Sequence, residues 1–516
     1  MNSKIMAFYL PQFHRVPEND EWWGKGFTEW TAVKGAAPLF EGHYQPRVPL
    51  NHNYYNLLEH DTMAWQANLM KKYSIDGVCI YHYWFENGRR ILEKPAENLL
   101  KWTDISMPFC FCWANETWSR TWEKLADANV WSIMYEPKNG KKNDNGILLR
   151  QSYGREQDWE EHFQYLLPFF EDDRYIKFQG KPVFVILKPD NIFPLWSMMH
   201  YFDIRAKENN LPGIYVIGMS KKKLAGLDAA CLRQPTEAVL EYLDKRPELW
   251  KSFRKYSYDE IWEIILRQKL YADKTYLCGV VDFDTSPRMG QRGQAMMNTD
   301  PQIFYHYLKK LYQKSLMLNN EYIFLNAWNE LGEGMYLEPD EKNGYRYLEA
   351  IHKVVTECRE EGLPQIIEWS ESFYETEAEI VLRRKEDCVK ALQRHDKLLD
   401  DWMYLRDHAI DFSKYFRKYG YQNIAIYGMG KLGTHLMHEL DGKDVKVIFG
   451  IDKNRKLSKT NIKVYSPDEA MPQVDAVVIT VFGEYGEIGE KLSRNMDCSM
   501  VTLEEIIEEL IVESRP

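Results

Sequence analysis

Cysteine is scarce: eight in 516 residues, with no disulfide-scaffold or zinc-finger spacing. Cys79, Cys110, Cys112 and Cys278 lie inside apolar, strand-like runs and read as small buried hydrophobes. No run of 18 apolar residues exists, so no membrane span is expected. Positive charge is in deficit. The formal net charge of −11 offers phosphates no basic face, which argues against a nucleic-acid binder. A G-x-S-x-G elbow is missing, so serine catalysis has no support. His14, His43 and His82 have acids nearby but no recognised ligand spacing, and no metal site is assigned. Met1 to Lys4 leads straight into a strand without a signal peptide, so a cytoplasmic location is expected.

Aromatic residues, by contrast, are abundant: 17 Trp, 33 Tyr and 23 Phe. Flat rings stack on the C–H faces of sugars, and they also build large cores with polar tips at the surface. Composition alone does not choose between these uses.

Short apolar runs alternate with amphipathic stretches. The expected strands are Ile5–Leu10, Gly77–Tyr83, Pro108–Trp113, Pro182–Leu187, Ile214–Met219, Ala229–Leu232, Tyr276–Val281 and Tyr322–Ala327. Helical patterns cover Asn56–Tyr73, Trp159–Phe170, Tyr258–Leu270 and Pro301–Leu311. Continuous apolar strands with helical connections indicate a parallel sheet covered on both faces. Eight such units fit a (β/α)8 barrel, with a doubly wound open sheet as the alternative.

A barrel of this kind carries its active site just after the strands. Those positions hold Tyr9 in the first strand and Trp30 in the loop after it. His82 and Tyr83 close the second strand, and Trp113, Asn115 and Glu116 end the third. Asp284 and Arg288 follow the seventh, and Trp328, Asn329, Glu330 and Glu333 the eighth. Glu330 and Glu333 stand three apart in a glycine-containing turn. Glycosidic cleavage needs two carboxyl groups of differing pKa, one to protonate the leaving oxygen and one to act across the sugar carbon. A surface loop with two solvated glutamates is the other reading of this turn.

Residues 365–420 are helical and highly charged; Glu375–Leu405 reads as one or two long helices, a linker or packing arm, with a solvated amphipathic face favoured over a partner-binding role. Asn423–Tyr427, Val445–Ile451 and Ala476–Val481 are expected strands of a final unit. Gly428, Gly430 and Gly433 follow the first of them in a G-x-G-x-x-G turn, and Asp452 follows the second. Such glycines let a backbone approach a pyrophosphate at a helix N-terminus, and an acid so placed can take ribose hydroxyls. A nucleotide or nucleotide-sugar is therefore one expectation for this unit, and a purely structural module is the other.

Several blocks then carry a family resemblance. Ala7-Phe8-Tyr9-Leu10-Pro11-Gln12-Phe13-His14, Gly26-Phe27-Thr28-Glu29-Trp30, Tyr81-His82-Tyr83-Trp84-Phe85, Phe111-Cys112-Trp113-Ala114-Asn115-Glu116, Asp284-Thr285-Ser286-Pro287-Arg288 and Asn326-Ala327-Trp328-Asn329-Glu330 resemble the WbsX group. Its members are described as glycosyltransferases of bacterial surface-polysaccharide synthesis. That group is similar to glycoside hydrolase family 99, the endo-α-mannosidases, which are (β/α)8 barrels. Their W-N-E-W-x-E-G motif reads here Trp328-Asn329-Glu330-Leu331-Gly332-Glu333-Gly334, with leucine in place of the second tryptophan. The resemblance implies that Glu330 is the base activating the sugar's own 2-hydroxyl. It implies that Glu333 is the acid that protonates the leaving group and then the base for the acceptor. It gives Glu116 a sugar-holding role.

The expected architecture is thus a (β/α)8 barrel over residues 1–364, a helical linker over 365–420 and a small Rossmann-like domain over 421–516. The expected function is glycosyl transfer in lipopolysaccharide or capsule synthesis, with no cofactor required by the barrel. The alternatives are a retaining endo-glycosidase using Glu330 and Glu333, and a non-catalytic carbohydrate-binding protein. Expected partners are an oligosaccharide or polysaccharide and other polysaccharide-synthesis enzymes.

Overall fold

The computed structural model describes the chain except for residues 1–2, 120–128, 131–146, 193, 222, 247, 250–252, 272–273, 363–372, 375, 455–460, 482–484, 494, 497 and 515–516. Eight parallel strands come from the apolar runs: β1 Lys4–Tyr9, β2 Gly77–His82, β3 Phe109–Trp113, β4 Lys181–Ile186, β5 Tyr215–Gly218, β6 Ala229–Cys231, β7 Thr275–Val280 and β8 Tyr322–Asn326. They run in the order β3-β2-β1-β8-β7-β6-β5-β4, and β4 pairs back onto β3, with Phe111 opposite Phe184. The sheet is therefore a closed barrel rather than an open one. Both faces of these strands are covered, which is why they read as unbroken apolar runs rather than alternating ones.

Helices α1 His60–Lys72, α2 Lys94–Lys101, α3 Glu156–Glu171 and α4 Leu195–Glu208 fill successive connections up to β5. α5 Thr236–Asp244 and α6 Tyr258–Arg267 lie between β6 and β7. α7 Pro301–Met317 precedes β8, and α8 Arg346–Glu361 follows it. Local signals set these boundaries. Asp300 caps α7, its side chain accepting from the Gln302 amide at 2.7 Å, with Pro301 in the first turn. Ile261, Trp262, Ile264 and Ile265 of α6 are buried at helical spacing against the barrel.

α9 Glu377–Asp407 is a single 31-residue helix, opened by a capping box between Thr376 and Glu379. The segment just before it, part of the expected linker, lies outside the described residues. After α10 Ser413–Lys418 comes a second sheet of five parallel strands: β9 Asn423–Tyr427, β10 Lys446–Ile451, β11 Val464–Tyr465, β12 Ala476–Ile479 and β13 Ser499–Thr502. Its order is β11-β10-β9-β12-β13. Helices α11 Lys431–Glu439, α12 Tyr485–Ser493 and α13 Leu503–Ser514 accompany it. This sheet rests on the barrel through Arg155 at the start of α3. The buried guanidinium pairs with Glu505 at 2.7 Å, donates to the Met500 carbonyl at 3.0 Å and donates to the Tyr415 hydroxyl. Among the described residues no helix is long and apolar enough to cross a membrane.

Candidate functional site

The chain leaves β8 into a small hairpin. Asn329–Glu330 pairs antiparallel with Met335–Tyr336, and the 3-10 turn Leu331–Glu333 joins them. Gly334 closes that turn at φ +70°, where a side chain would be strained. The hairpin is fastened to β1. The Asn329 amide accepts from the Leu10 N–H at 2.7 Å and donates to the Leu10 carbonyl at 3.0 Å. The Trp328 N–H donates to the Phe8 carbonyl at 2.7 Å. Glu330 and Glu333 are thereby held at the C-terminal rim of the barrel.

One guanidinium gathers both. Arg288, on a short helix after β7, donates through Nη2 to Glu330 at 3.0 Å and through Nη1 to Glu333. It also holds a third carboxylate: Nη2 reaches Glu29 Oε1 at 2.7 Å and Nε the same oxygen at 3.2 Å. Glu330, Glu29 and Arg288 are buried, whereas the Glu333 side chain is 30% exposed. Burial pushes the Glu330 carboxyl up to about 8; the nearby Glu333 charge adds to this, and Arg288 opposes it. Burial raises Glu29 as well, against the pull of Arg288. Three carboxylates share one fixed positive charge, so the cluster favours retaining a proton.

Gly332 is a spatial requirement. A Cβ there would overlap Glu29 Oε1 and come within 2.9 Å of Arg288 Nε. Because neither neighbour can retreat into space, Gly332→Ala should destabilise the fold by about 1–3 kcal/mol. A urea midpoint unchanged from wild type would show that the hairpin relaxes freely.

The other expected site residues divide by the pleat of the strands. Tyr83 faces the barrel mouth with Tyr81; burial and then the Glu330 charge raise both phenols, and the Glu116 charge adds at Tyr83. Glu116 pairs with Lys188 at 3.1 Å, with Arg233 at 4.0 Å. Tyr9, His82 and Trp113 point the other way, into the helical layer. Tyr9 donates to Gln66 on α1 at 2.7 Å. His82 meets His162 of α3 at 2.9 Å, and burial lowers it to about 3, so it stays neutral. Trp113 is fully buried beside His162 and donates to the Trp84 carbonyl at 3.2 Å. Trp30 packs among Phe13, Tyr54 and Tyr55 and donates to the Tyr55 carbonyl at 2.8 Å. Trp328 is fully buried. Asn115 bridges loops, exchanging hydrogen bonds with the Lys188 backbone at 2.8 Å. These seven side chains, Asn329 included, support the rim rather than line it.

Asp284 is also a support. It is buried beneath the turn, meeting His43 at 2.8 Å, Gln45 at 2.7 Å and Arg47 at 3.5 Å. Burial opposes its ionisation, but the His43 hydrogen bond and the Arg47 charge win and hold the carboxyl well below the usual carboxylate range. Its backbone N–H donates to the Glu333 carbonyl at 2.6 Å, so this network fixes the Glu333 turn. Arg47, paired with Asp282 at 2.8 Å, completes it. Glu29, Arg47 and His43 have no spacing relation to the glutamates and were not legible as site residues from periodicity.

In the second sheet, Gly428, Gly430 and Gly433 form the expected turn between β9 and α11. Gly428 has φ +89°, a Cβ at Gly430 would meet nothing within 4 Å, and one at Gly433 would strike the Gly428 carbonyl. The Asp452 carboxylate accepts from the Met429 N–H of that turn at 2.8 Å and from the Asn454 N–H at 2.7 Å.

A closed parallel barrel with a carboxylate–arginine cluster at its C-terminal rim suits the carbohydrate-active enzymes, and sequence comparison agrees. The chain belongs to the family described as Glycosyltransferase WbsX, whose model matches residues 5–351. It is similar to the uncharacterised protein WxcX of Xanthomonas campestris pv. campestris, with 32% identity over 367 residues, 69% of this chain and 50% of the relative. The chain thus spans about half the length of the curated relatives it matches. Among solved structures, a family 99 endo-α-mannosidase from Bacteroides thetaiotaomicron is similar at TM-score 0.40 and 16% identity, covering 70% of this chain and 98% of that one. The α-L-fucosidase AlfC of Lactobacillus casei follows at TM-score 0.30 and 12% identity, covering 69% and 97%.

Proposed function

We propose that this chain transfers glycosyl units during bacterial surface-polysaccharide synthesis, with Glu330 and Glu333 as its catalytic pair. The observation that carries the reading is the Arg288 bridge, which places one buried and one half-open carboxylate side by side at the barrel rim. Family membership supplies the carbohydrate substrate class. In this reading Glu330 takes the proton of the sugar's 2-hydroxyl as that oxygen attacks the anomeric carbon. Glu333 gives its proton to the departing oxygen and later takes one from the acceptor, whose oxygen attacks the anomeric carbon and breaks its bond to the 2-oxygen, which recovers its proton from Glu330. Glu116 and Tyr83, on the same side of the mouth, would hold sugar hydroxyls. A sugar hydroxyl as acceptor makes the reaction transfer; water makes it retaining hydrolysis. Hydrolysis is the second reading, favoured by the same pair, because a transferase drawing on a nucleotide sugar has no need of two such carboxylates.

The test is mass spectrometry of α-mannosyl and related oligosaccharides incubated with the protein, first without any nucleotide sugar. Shortened or rearranged products that vanish with Glu330→Gln would support glycosidase or transglycosidase chemistry. Chain extension only after nucleotide sugars are added would support transfer from an activated donor. No product under either condition would leave the non-catalytic binding reading standing.

The pKa of Glu330 gives a second, sharper test. A base must be ionised to act, so kcat/KM should rise with pH and level off above about 8. If Glu330 is instead the proton donor, kcat/KM should fall as pH passes about 8.

We read the second sheet as a Rossmann-like domain, because its strand order, third-second-first-fourth-fifth in chain order, matches five of the six strands of a dinucleotide fold, and Gly428 and Gly433 each meet a steric demand of the turn. The open space at Gly430 would admit a phosphate, and Asp452 stands beside the turn. A nucleotide or nucleotide sugar is the ligand this turn fits. Thermal stabilisation by nucleoside diphosphates, lost in Gly430→Asp, would support it; no stabilisation would leave the domain structural.

A further inference from the structure

Helix α9 has two unlike faces. Leu398, Trp402 and Leu405 are buried in the core of the C-terminal unit. Leu382, Val389, Leu392, Leu399 and Met403 are 59%, 54%, 64%, 40% and 53% exposed. A lone exposed leucine needs no explanation, but these five form a stripe spaced seven, three, seven and four residues apart. That is the 3.5-residue period of a coiled-coil seam, and it follows a seven-residue repeat along the helix. At 31 residues the helix covers about four heptads and about 46 Å, enough to sustain such a seam.

We infer that α9 pairs antiparallel with α9 of a second copy of this chain. The two charged residues interrupting the stripe, Lys385 and Asp396, both exposed, fix the arrangement. In one antiparallel register Lys385 stands opposite the partner's Asp396. The same register sets Leu382 opposite the partner's Leu399, Val389 opposite the partner's Leu392, and Ala378 opposite the partner's Met403. Every apolar position then meets an apolar one, and the two charges meet each other. A parallel pairing would stack lysine on lysine and aspartate on aspartate inside the seam, which is unfavourable. A face that complements itself about a two-fold axis is what a symmetric dimer requires. A dissimilar partner gives no reason for the match.

Sedimentation velocity of the full chain, from low micromolar concentration upward, tests this. The wild type should dimerise. Lys385→Asp and Asp396→Lys should each weaken dimerisation at least about tenfold, because each sets like charges opposite one another in the seam. The double swap Lys385→Asp/Asp396→Lys should restore wild-type association. Because both positions are exposed, far-UV circular dichroism should be unchanged in all variants. Leu392→Glu, also exposed, should give a folded monomer. A wild type that stays monomeric throughout, or a double swap no tighter than the single variants, overturns the proposal.

Discussion

Glu330→Gln lowers turnover by about 10²–10⁴-fold, and Glu333→Gln does the same, if the pair divides the proton transfers between them. The two losses should not multiply in the double variant, because groups acting on one step lose their effect together. Fold stability should behave differently at the two positions. Glu330 is buried, and its carboxyl is raised to about 8 in the folded chain from an ordinary value of 4.5. A raised carboxyl means that the folded state holds a proton the unfolded state has released. Wild-type stability therefore falls as pH climbs from about 4.5 to about 8, and Glu330→Gln removes that slope. The variant should melt at or above the wild-type temperature at pH 7, with an advantage of up to about 3 kcal/mol that grows between pH 5 and 8. Activity measured by product formation and melting followed by circular dichroism separate the two effects. An active Glu330→Gln enzyme would remove Glu330 from the chemistry, whatever its stability.

The barrel was legible because its strands are buried on both faces, so each appears as an apolar run of the right length. All eight expected strands are present, though the sixth shrinks to Ala229–Cys231. The rim was only half legible. The sequence groups residues at strand ends together, yet side chains alternate across a strand, so neighbours there face opposite layers. On β2, Tyr81 and Tyr83 turn to the mouth while His82 between them turns to α3. On β1 and β3, Tyr9 and Trp113 likewise end in the helical layer. Parity along each strand, counted from the core-facing Phe8 that stacks on Tyr81, would have separated them. Asn115 and Asn329 look like sugar ligands by type, but an amide can also replace a missing backbone partner, and both do so here. Glu29 stands in a block of the family resemblance but has no role legible in the sequence, because it opens a separate helix in the β1 loop and only the fold brings it to Arg288. The second sheet gained β11 and β13, whose two- and four-residue lengths give little periodic signal.

Arg288→Ala should be the most damaging single change to the fold. The wild-type guanidinium sits fully inside the protein and answers Glu29, Glu330 and Glu333 at once. Removing it leaves Glu29 and Glu330 buried with no cation, and desolvation then has nothing to offset it. Breaking a buried ion cluster from one side costs about 3–5 kcal/mol, more than the loss of the same pairs by neutral replacement. Part of that cost is avoided if the glutamates take up protons, so the deficit should shrink as pH falls toward 5. Glu29→Gln in the Arg288→Ala background should recover stability for the same reason, since it removes one orphaned charge from a site with no exposure. Arg288→Lys restores the charge but not the planar fork that reaches three carboxylates in separate directions, so it should regain stability while activity stays low. Urea unfolding at pH 5 and pH 8, together with turnover, reads all three variants. Equal stability of Arg288→Ala and wild type at both pH values would mean that the carboxylates are held apart by the hairpin and β1 alone, and that Arg288 does not organise the pair.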